Sequence, residues 1–142
     1  MEGGRGRRSA LVRQCVAPGA PNDPTRGAYV SRMATAEAFF AIDLRVGTVV
    51  QAELFAEARK PSLKLLIDFG SEIGTKRSSA QLTAHYTPDQ LVGRQVVAAV
   101  NLGSRRIAGF TSEVLVLGAM PSQTEVVLLG VDRPVANGTR IG

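Results

Sequence analysis

Apolar and polar positions alternate most clearly at Leu63–Phe69, where Leu63, Leu65, Ile67 and Phe69 fall on one side and Lys64 and Asp68 on the other. A period of two belongs to a strand with one buried face. "RVGTVVQAEL" (45–54) is rich in β-branched residues and reads as a preceding strand, with Gly47 a candidate bulge or close-approach site. Polar "GTKRSSAQL" (74–82) reads as a third, wet strand, and "RQVVAAVNL" (94–102) as one buried on both faces. "EVLVLGAM" (113–120) and "EVVLLGV" (125–131) are further strands.

Helices are few. In "TPDQLVG", Thr87 is an N-cap, Pro88 takes the first helical position, Gln90 completes a capping-box pattern and Gly93 ends the turn. "TAEAFFAID" opens with Thr35 able to cap and Glu37 in the first turn, where a carboxylate suits the helix dipole. Its neighbours Phe39 and Phe40 cannot both face one body, so either one ring plugs an end of the domain or they form a patch for a partner. "DRPVANGTRIG" carries a Pro break and an Asn137-Gly138 turn that lets Arg140 and Ile141 reach back toward the body. Burial of this segment across a two-fold axis would order it.

Short strands with one short helix between the third and fourth predict a mainly β domain, a five-stranded Greek-key barrel of the OB type. It carries a short N-terminal helix and a C-terminal strand extension. An SH3-like barrel fits the strand pattern as an alternative.

Composition changes the picture mainly at the N-terminus. Residues 1–32 carry Gly, Pro and Arg without apolar periodicity, which predicts a disordered leader. The domain is expected at 33–142, with Met33 an alternative initiator. The formal charge of +5 divides unevenly: six arginines against two acids leave +4 in residues 1–32, and eleven basic residues against ten acidic leave +1 beyond. Nucleic-acid binding therefore does not follow from net charge. The apolar piece "ALV" is too short for a secretory core, and the runs of apolar residues fall short of the roughly 20 needed to cross a bilayer. Membrane insertion is not expected. One cysteine, Cys15, excludes an internal disulfide and fits a reducing, cytoplasmic setting.

No catalytic set emerges. His85 is the single histidine, Asp89 is its nearest acid in sequence, and no nucleophile motif accompanies them. Neither a metal site nor a cofactor is expected, since Cys15 and His85 alone make no zinc spacing. Lys76, Arg77, Arg105 and Arg106, with Ser78 and Ser79, are candidates to converge on one anion- or RNA-binding face if strand and turn adjoin. Ile107, Phe110 and Tyr86 are candidates for apolar or stacking contact with a peptide or base. The alternative for the charges is a solvated rim.

"DLRVG", "EARKPSLKLLIDFGSEIGTKRSSAQ", "NLGSRRIAGFTSEVLVLG" and "NGTRIG", in that order, resemble the CsaA proteins, export chaperones built on the tRNA-binding domain. Within the wider tRNA-binding family, Asn101, Arg106 and Ser112 match a pattern of strand-ending Asn, basic turn and Ser, and Ser79 and Tyr86 match the segment before it. Ala108 stands where RNA-binding members carry Arg. The resemblance implies a non-enzymatic OB-fold homodimer that binds unfolded preproteins for Sec-dependent export and cooperates with SecA. It equally leaves open a module that binds tRNA or another structured RNA.

Overall fold

The computed structural model describes residues 32–142. The expected leader, apart from Arg32, and Cys15 lie outside the described residues. Helix α1 (Ala36–Ala41) starts where Thr35 Oγ1 accepts the Ala38 N–H at 3.0 Å. It buries none of its residues, so neither phenyl ring plugs the barrel: Phe39 and Phe40 are 45% and 50% exposed. With six residues the helix is under two turns, too short to turn a whole face inward.

Strand β1 (Leu44–Leu54) is the long element, and β2 (Leu63–Asp68) pairs antiparallel with its second half. The ladder slips between Val49 and Gln51, so the bulge lies there and not at Gly47. Gly47 is the close-approach site: a Cβ would stand 2.7 Å from Ile67 Cγ2 and 2.7 Å from Phe69 Cδ1. A one-turn helix α2 (Gly70–Ile73) leads to β3 (Thr75–Ala80), paired with β2. Helix α3 (Pro88–Leu91) follows, with the Thr87 N–H bonded to Gln90 Oε1 at 3.0 Å. It drives Leu91 into the core and precedes β4 (Gln95–Ala99), which pairs with the first half of β1.

A small hairpin, β5 (Arg105–Ile107) and β6 (Phe110–Ser112), then projects before β7 (Leu115–Val116) adds to β4. The stretch expected as one strand over 113–120 is broken at Leu117, and the next residue, Gly118, lies against Val126 with no room for a side chain. A separate hairpin follows, β8 (Gly118–Ser122) with β9 (Glu125–Leu128).

The main sheet runs β3-β2-β1-β4-β7 and curls until its ends meet. Closure is polar: the Glu113 N–H bonds Arg77 O at 2.7 Å, Ser78 Oγ donates to Val114 O at 2.9 Å, and the Ser79 N–H donates to Ser112 Oγ at 3.1 Å. The fold is a mainly β OB-type barrel. Its interior holds Leu63, Leu65, Ile67, Phe69, Leu82, Leu91 and Val96, the inward positions of the strands plus the loop and helix that plug one end. Each such aliphatic side chain contributes about 1.5–3 kcal/mol by leaving water.

The C-terminal segment supplies the edge that β1 lacks. Gly138 N–H bonds Val46 O at 2.7 Å, Val46 N–H bonds Thr139 O at 2.9 Å, and Ile141 N–H bonds Leu44 O at 2.9 Å. The segment is thus held to β1 by main-chain hydrogen bonds within its own chain. Arg45 ties it further, donating to Gly138 O at 2.9 Å and to Asp43 Oδ1 at 2.6 Å. The hydrogen bond to Asp43 raises the guanidinium pKa above its ordinary value.

Candidate ligand-binding face

Antiparallel register decides which side chains share the outer face of β1, β2 and β3. Gln51 lies opposite Leu66, which lies opposite Arg77; Glu53 lies opposite Lys64, which lies opposite Ser79. Directly paired residues project from the same side, so these six form two rows on the face away from the core. Phe110 from β6 overhangs them. Its ring centroid is 5.4 Å from that of buried Phe55, and Lys64 Nζ stands 4.8 Å and 5.4 Å from the two rings. The Arg77 guanidinium lies 5.6 Å from the Phe110 centroid. A shallow groove of about 130 Å³ results, with Gln51, Glu53 and Leu66 along its floor and Phe110 at its rim.

Both cations of the groove are paired. Lys64 Nζ is 3.8 Å from Glu57 Oε1, and Arg77 Nε is 3.5 Å from Glu113 Oε1. Glu113 Oε1 also accepts the Arg77 main-chain N–H at 3.0 Å.

The four candidate basic residues do not converge. Lys76 and Arg77 are successive on β3 and project to opposite sides; Lys76 lies opposite buried Ile67. In the hairpin, Arg105 pairs with Ser112 and Ile107 with Phe110, whereas Arg106 pairs with Thr111 on the other side. Arg105 and Ile107 therefore share Phe110's side, while Arg106 turns away and reaches Gly109 O at 3.5 Å. The turn itself needs left-handed backbone at both central residues, Ala108 (φ 47°) and Gly109 (φ 82°).

Other candidates serve the fold. Ser78 is fully buried and, with Ser112, closes the barrel. Asn101 Nδ2 donates to Ala41 O and its Oδ1 accepts the Asp43 N–H, both at 2.8 Å. Tyr86 lies apart from Phe110: its hydroxyl accepts the Leu128 N–H at 3.0 Å and its ring lies 5.3 Å from the Arg94 guanidinium. His85 Nε2 meets Glu125 Oε1 at 2.8 Å, and this hydrogen bond, then that from Ser122, holds the Glu125 carboxyl below its ordinary pKa.

Reasoning from sequence missed Lys64, Phe55, Glu57 and Glu113 as members of the face. Lys64 was accessible, as an outward position of the clearest strand. The two glutamates act through loop and closure geometry that no spacing encodes. A larger cleft of about 570 Å³ lies between Arg94–Gln95 and Gly130–Pro134, but the Gln95 amide and the Thr48 hydroxyl that line it are bonded to Val135 and Asn137. Among the described residues no group of His, Cys, Asp and Glu could hold a metal ion, and no helix is long and apolar enough to cross a membrane.

A closed small barrel with an outward strand face and an overhanging hairpin defines an OB-type binding module. More narrowly, the chain belongs to the family described as "Putative tRNA binding domain", whose profile matches residues 44–140. The chaperone CsaA of Bacillus anthracis is 53% identical, with a TM-score of 0.75 over 78% of this chain and 100% of that one. The CsaA chaperone protein of Picrophilus torridus is 44% identical, with a TM-score of 0.72 over 78% of this chain and 100% of that one. Methionine–tRNA ligase of Methanocaldococcus jannaschii is 36% identical over 100 residues, which are 70% of this chain and 15% of the ligase. The chain thus spans about 15% of the length of that curated relative.

Proposed function

We propose that the protein is a non-enzymatic chaperone that captures extended, unfolded polypeptide on the β1–β2–β3 face, with Phe110 and Ile107 providing apolar contact. The observation that carries this reading is the groove itself: an aromatic rim over a floor of Leu66, Gln51 and Glu53, with each of its cations already paired to a carboxylate. Such a surface offers apolar contact with little demand for a particular sequence. The likeness to CsaA chaperones over their full length supports it. The clients implied are preproteins held for export in the cytoplasm, with SecA as a cooperating partner.

The decisive titration follows fluorescence anisotropy of a labelled unfolded polypeptide with wild type and Phe110→Ala. Weaker capture by the variant is expected, with Phe110→Leu close to wild type; equal capture by Phe110→Ala removes Phe110 from the site.

Self-association completes the reading. Phe39, Phe40, Ile42 and Leu102 are exposed and neighbours through the Asn101 bonds to Ala41 and Asp43, a patch suited to a second copy. Loss of dimer in sedimentation on Phe40→Ser is the expected result; an unchanged dimer places the contact elsewhere.

A second reading, tRNA binding, is favoured by the family match and by exposed Arg105 and Arg106 on the hairpin. Under it, replacing both by Ala lowers affinity and reduces the salt slope by up to about two.

A further inference from the structure

We propose that Glu53, Glu57 and Glu113 act as specificity-determining residues that keep a phosphodiester backbone off the β1–β2–β3 face, so that polypeptide is admitted and RNA refused. The inference deepens the polypeptide-capture reading and rests on it.

An RNA strand binding an OB face needs cations free to meet phosphates and an aromatic face free to stack. Here the groove's two cations, Lys64 and Arg77, face three carboxylates: Glu53 is the register partner of Lys64, Glu57 is 3.8 Å from it, and Glu113 is 3.5 Å from Arg77. Including Arg105, on Phe110's side of the hairpin, only levels the balance. A phosphate at Arg77 would have to displace Glu113.

Glu113 cannot swing aside freely. Its own N–H is bonded to Arg77 O at 2.7 Å, and its Oε1 holds both the Arg77 main-chain N–H at 3.0 Å and the guanidinium. The same two bonds that help close the barrel therefore fix a negative charge at the edge of the binding face. A polypeptide, neutral along its main chain, meets Leu66, Gln51 and the Phe110 rim without displacing any carboxylate. Selectivity of this kind comes from repulsion of the wrong ligand as much as from attraction of the right one.

The test uses the full chain as wild type, E57Q, E113Q and the double variant, titrated with labelled unfractionated tRNA and with a labelled, unstructured polypeptide of zero net charge at a series of salt concentrations. Glutamine at 113 keeps an oxygen for the Arg77 N–H, and urea midpoints check the fold. E57Q removes a charge held through one ion pair, so it reads charge alone. The slope of log affinity for tRNA against log salt should steepen by about one in E113Q and about two in the double variant. At low salt, tRNA affinity should rise roughly two- to fivefold per carboxylate removed, the range of an exposed ion pair. R77Q added to E113Q should return the slope to its starting value. Unchanged slopes in E57Q and the double variant, or weaker tRNA binding in both, overturn the proposal. Steeper slopes with no capture of the uncharged polypeptide by wild type would sink the chaperone reading while leaving the charge filter standing.

Discussion

Asn101 separates two accounts of the same residue, one as an RNA contact and one as a clamp. Its amide spans the corner between α1 and β1, with a 2.8 Å bond to Ala41 O and another to the Asp43 N–H. Since α1 buries none of its residues, its attachment rests on these bonds and on the Arg140 Nη2 bond to Phe40 O at 3.2 Å. Each hydrogen bond contributes about 0.5–1.5 kcal/mol net, and in this exposed setting the pair falls near the low end, about 1–2 kcal/mol together. That is roughly a 5- to 30-fold change in a local opening equilibrium. Asn101→Ala should therefore speed amide exchange of residues 36–43 by roughly that factor, while exchange in β2, β3 and β4 stays near wild type. Asn101→Asp should open the corner too, because it keeps an acceptor for Asp43 but sets an anion against the Ala41 carbonyl. Hydrogen exchange read by mass spectrometry makes the measurement, with a tRNA salt titration in parallel. Unaltered exchange together with a shallower tRNA salt slope would refute the clamp and return Asn101 to the ligand surface.

Gly47→Ala should cost about 1–3 kcal/mol in urea unfolding, because its Cβ at 2.7 Å from Ile67 and Phe69 must push fully buried side chains aside; a loss under about 0.5 kcal/mol would show that the barrel interior adapts without strain. Ala108→Asn should stabilise by roughly 0.5–1 kcal/mol, since Asn accepts the left-handed backbone that alanine holds at φ 47°; a lower thermal midpoint would contradict that account. Glu125, held below its ordinary pKa mainly by the hydrogen bond from His85, contributes stability above the unfolded carboxylate value of about 4.3 and loses it as pH falls through the folded value. Urea midpoints should thus show Glu125→Gln less stable than wild type at pH 7 and the gap narrowing at pH 3; a gap that widens in acid would reverse the sign.

The barrel was legible because its signals are local. Alternation at Leu63–Phe69, the capping box at Thr87–Gln90 and the doubly buried run at Val96–Ala99 each fix an element within a few residues. The break at Leu117 was not legible, nor was the close approach of Gly118 to Val126 on the returning strand. The candidate face was legible only in part. Arg77, Phe110 and Arg105 were found by residue type, but faces within a strand follow from register, which puts Lys76 and Arg106 on the far sides. Ser78, Ser112, Asn101 and Tyr86 looked like binding groups because hydroxyls and amides serve ligands and folds alike. Only their partners distinguish the two uses.

Those partners divide the polar residues into two sets with different consequences for change. Ser78, Ser112, Asn101 and the Tyr86 hydroxyl spend their hydrogen bonds inside the molecule, closing the barrel or joining its corners. Lys64 and Arg77 stand on outward sides of strands whose inward sides carry the core, and Arg105 and Phe110 project from the hairpin beside them. Substitutions in the first set should act on stability and local opening, and those in the second on ligand binding. Glu113 and Arg77 belong to both, because their main chains meet to close the barrel while the Glu113 carboxylate pairs with the Arg77 guanidinium on the face. Charge at Glu113 can be removed by glutamine without removing closure, whereas deletion of the side chain to alanine would disturb both. The two variants together separate what the face binds from what holds it in place.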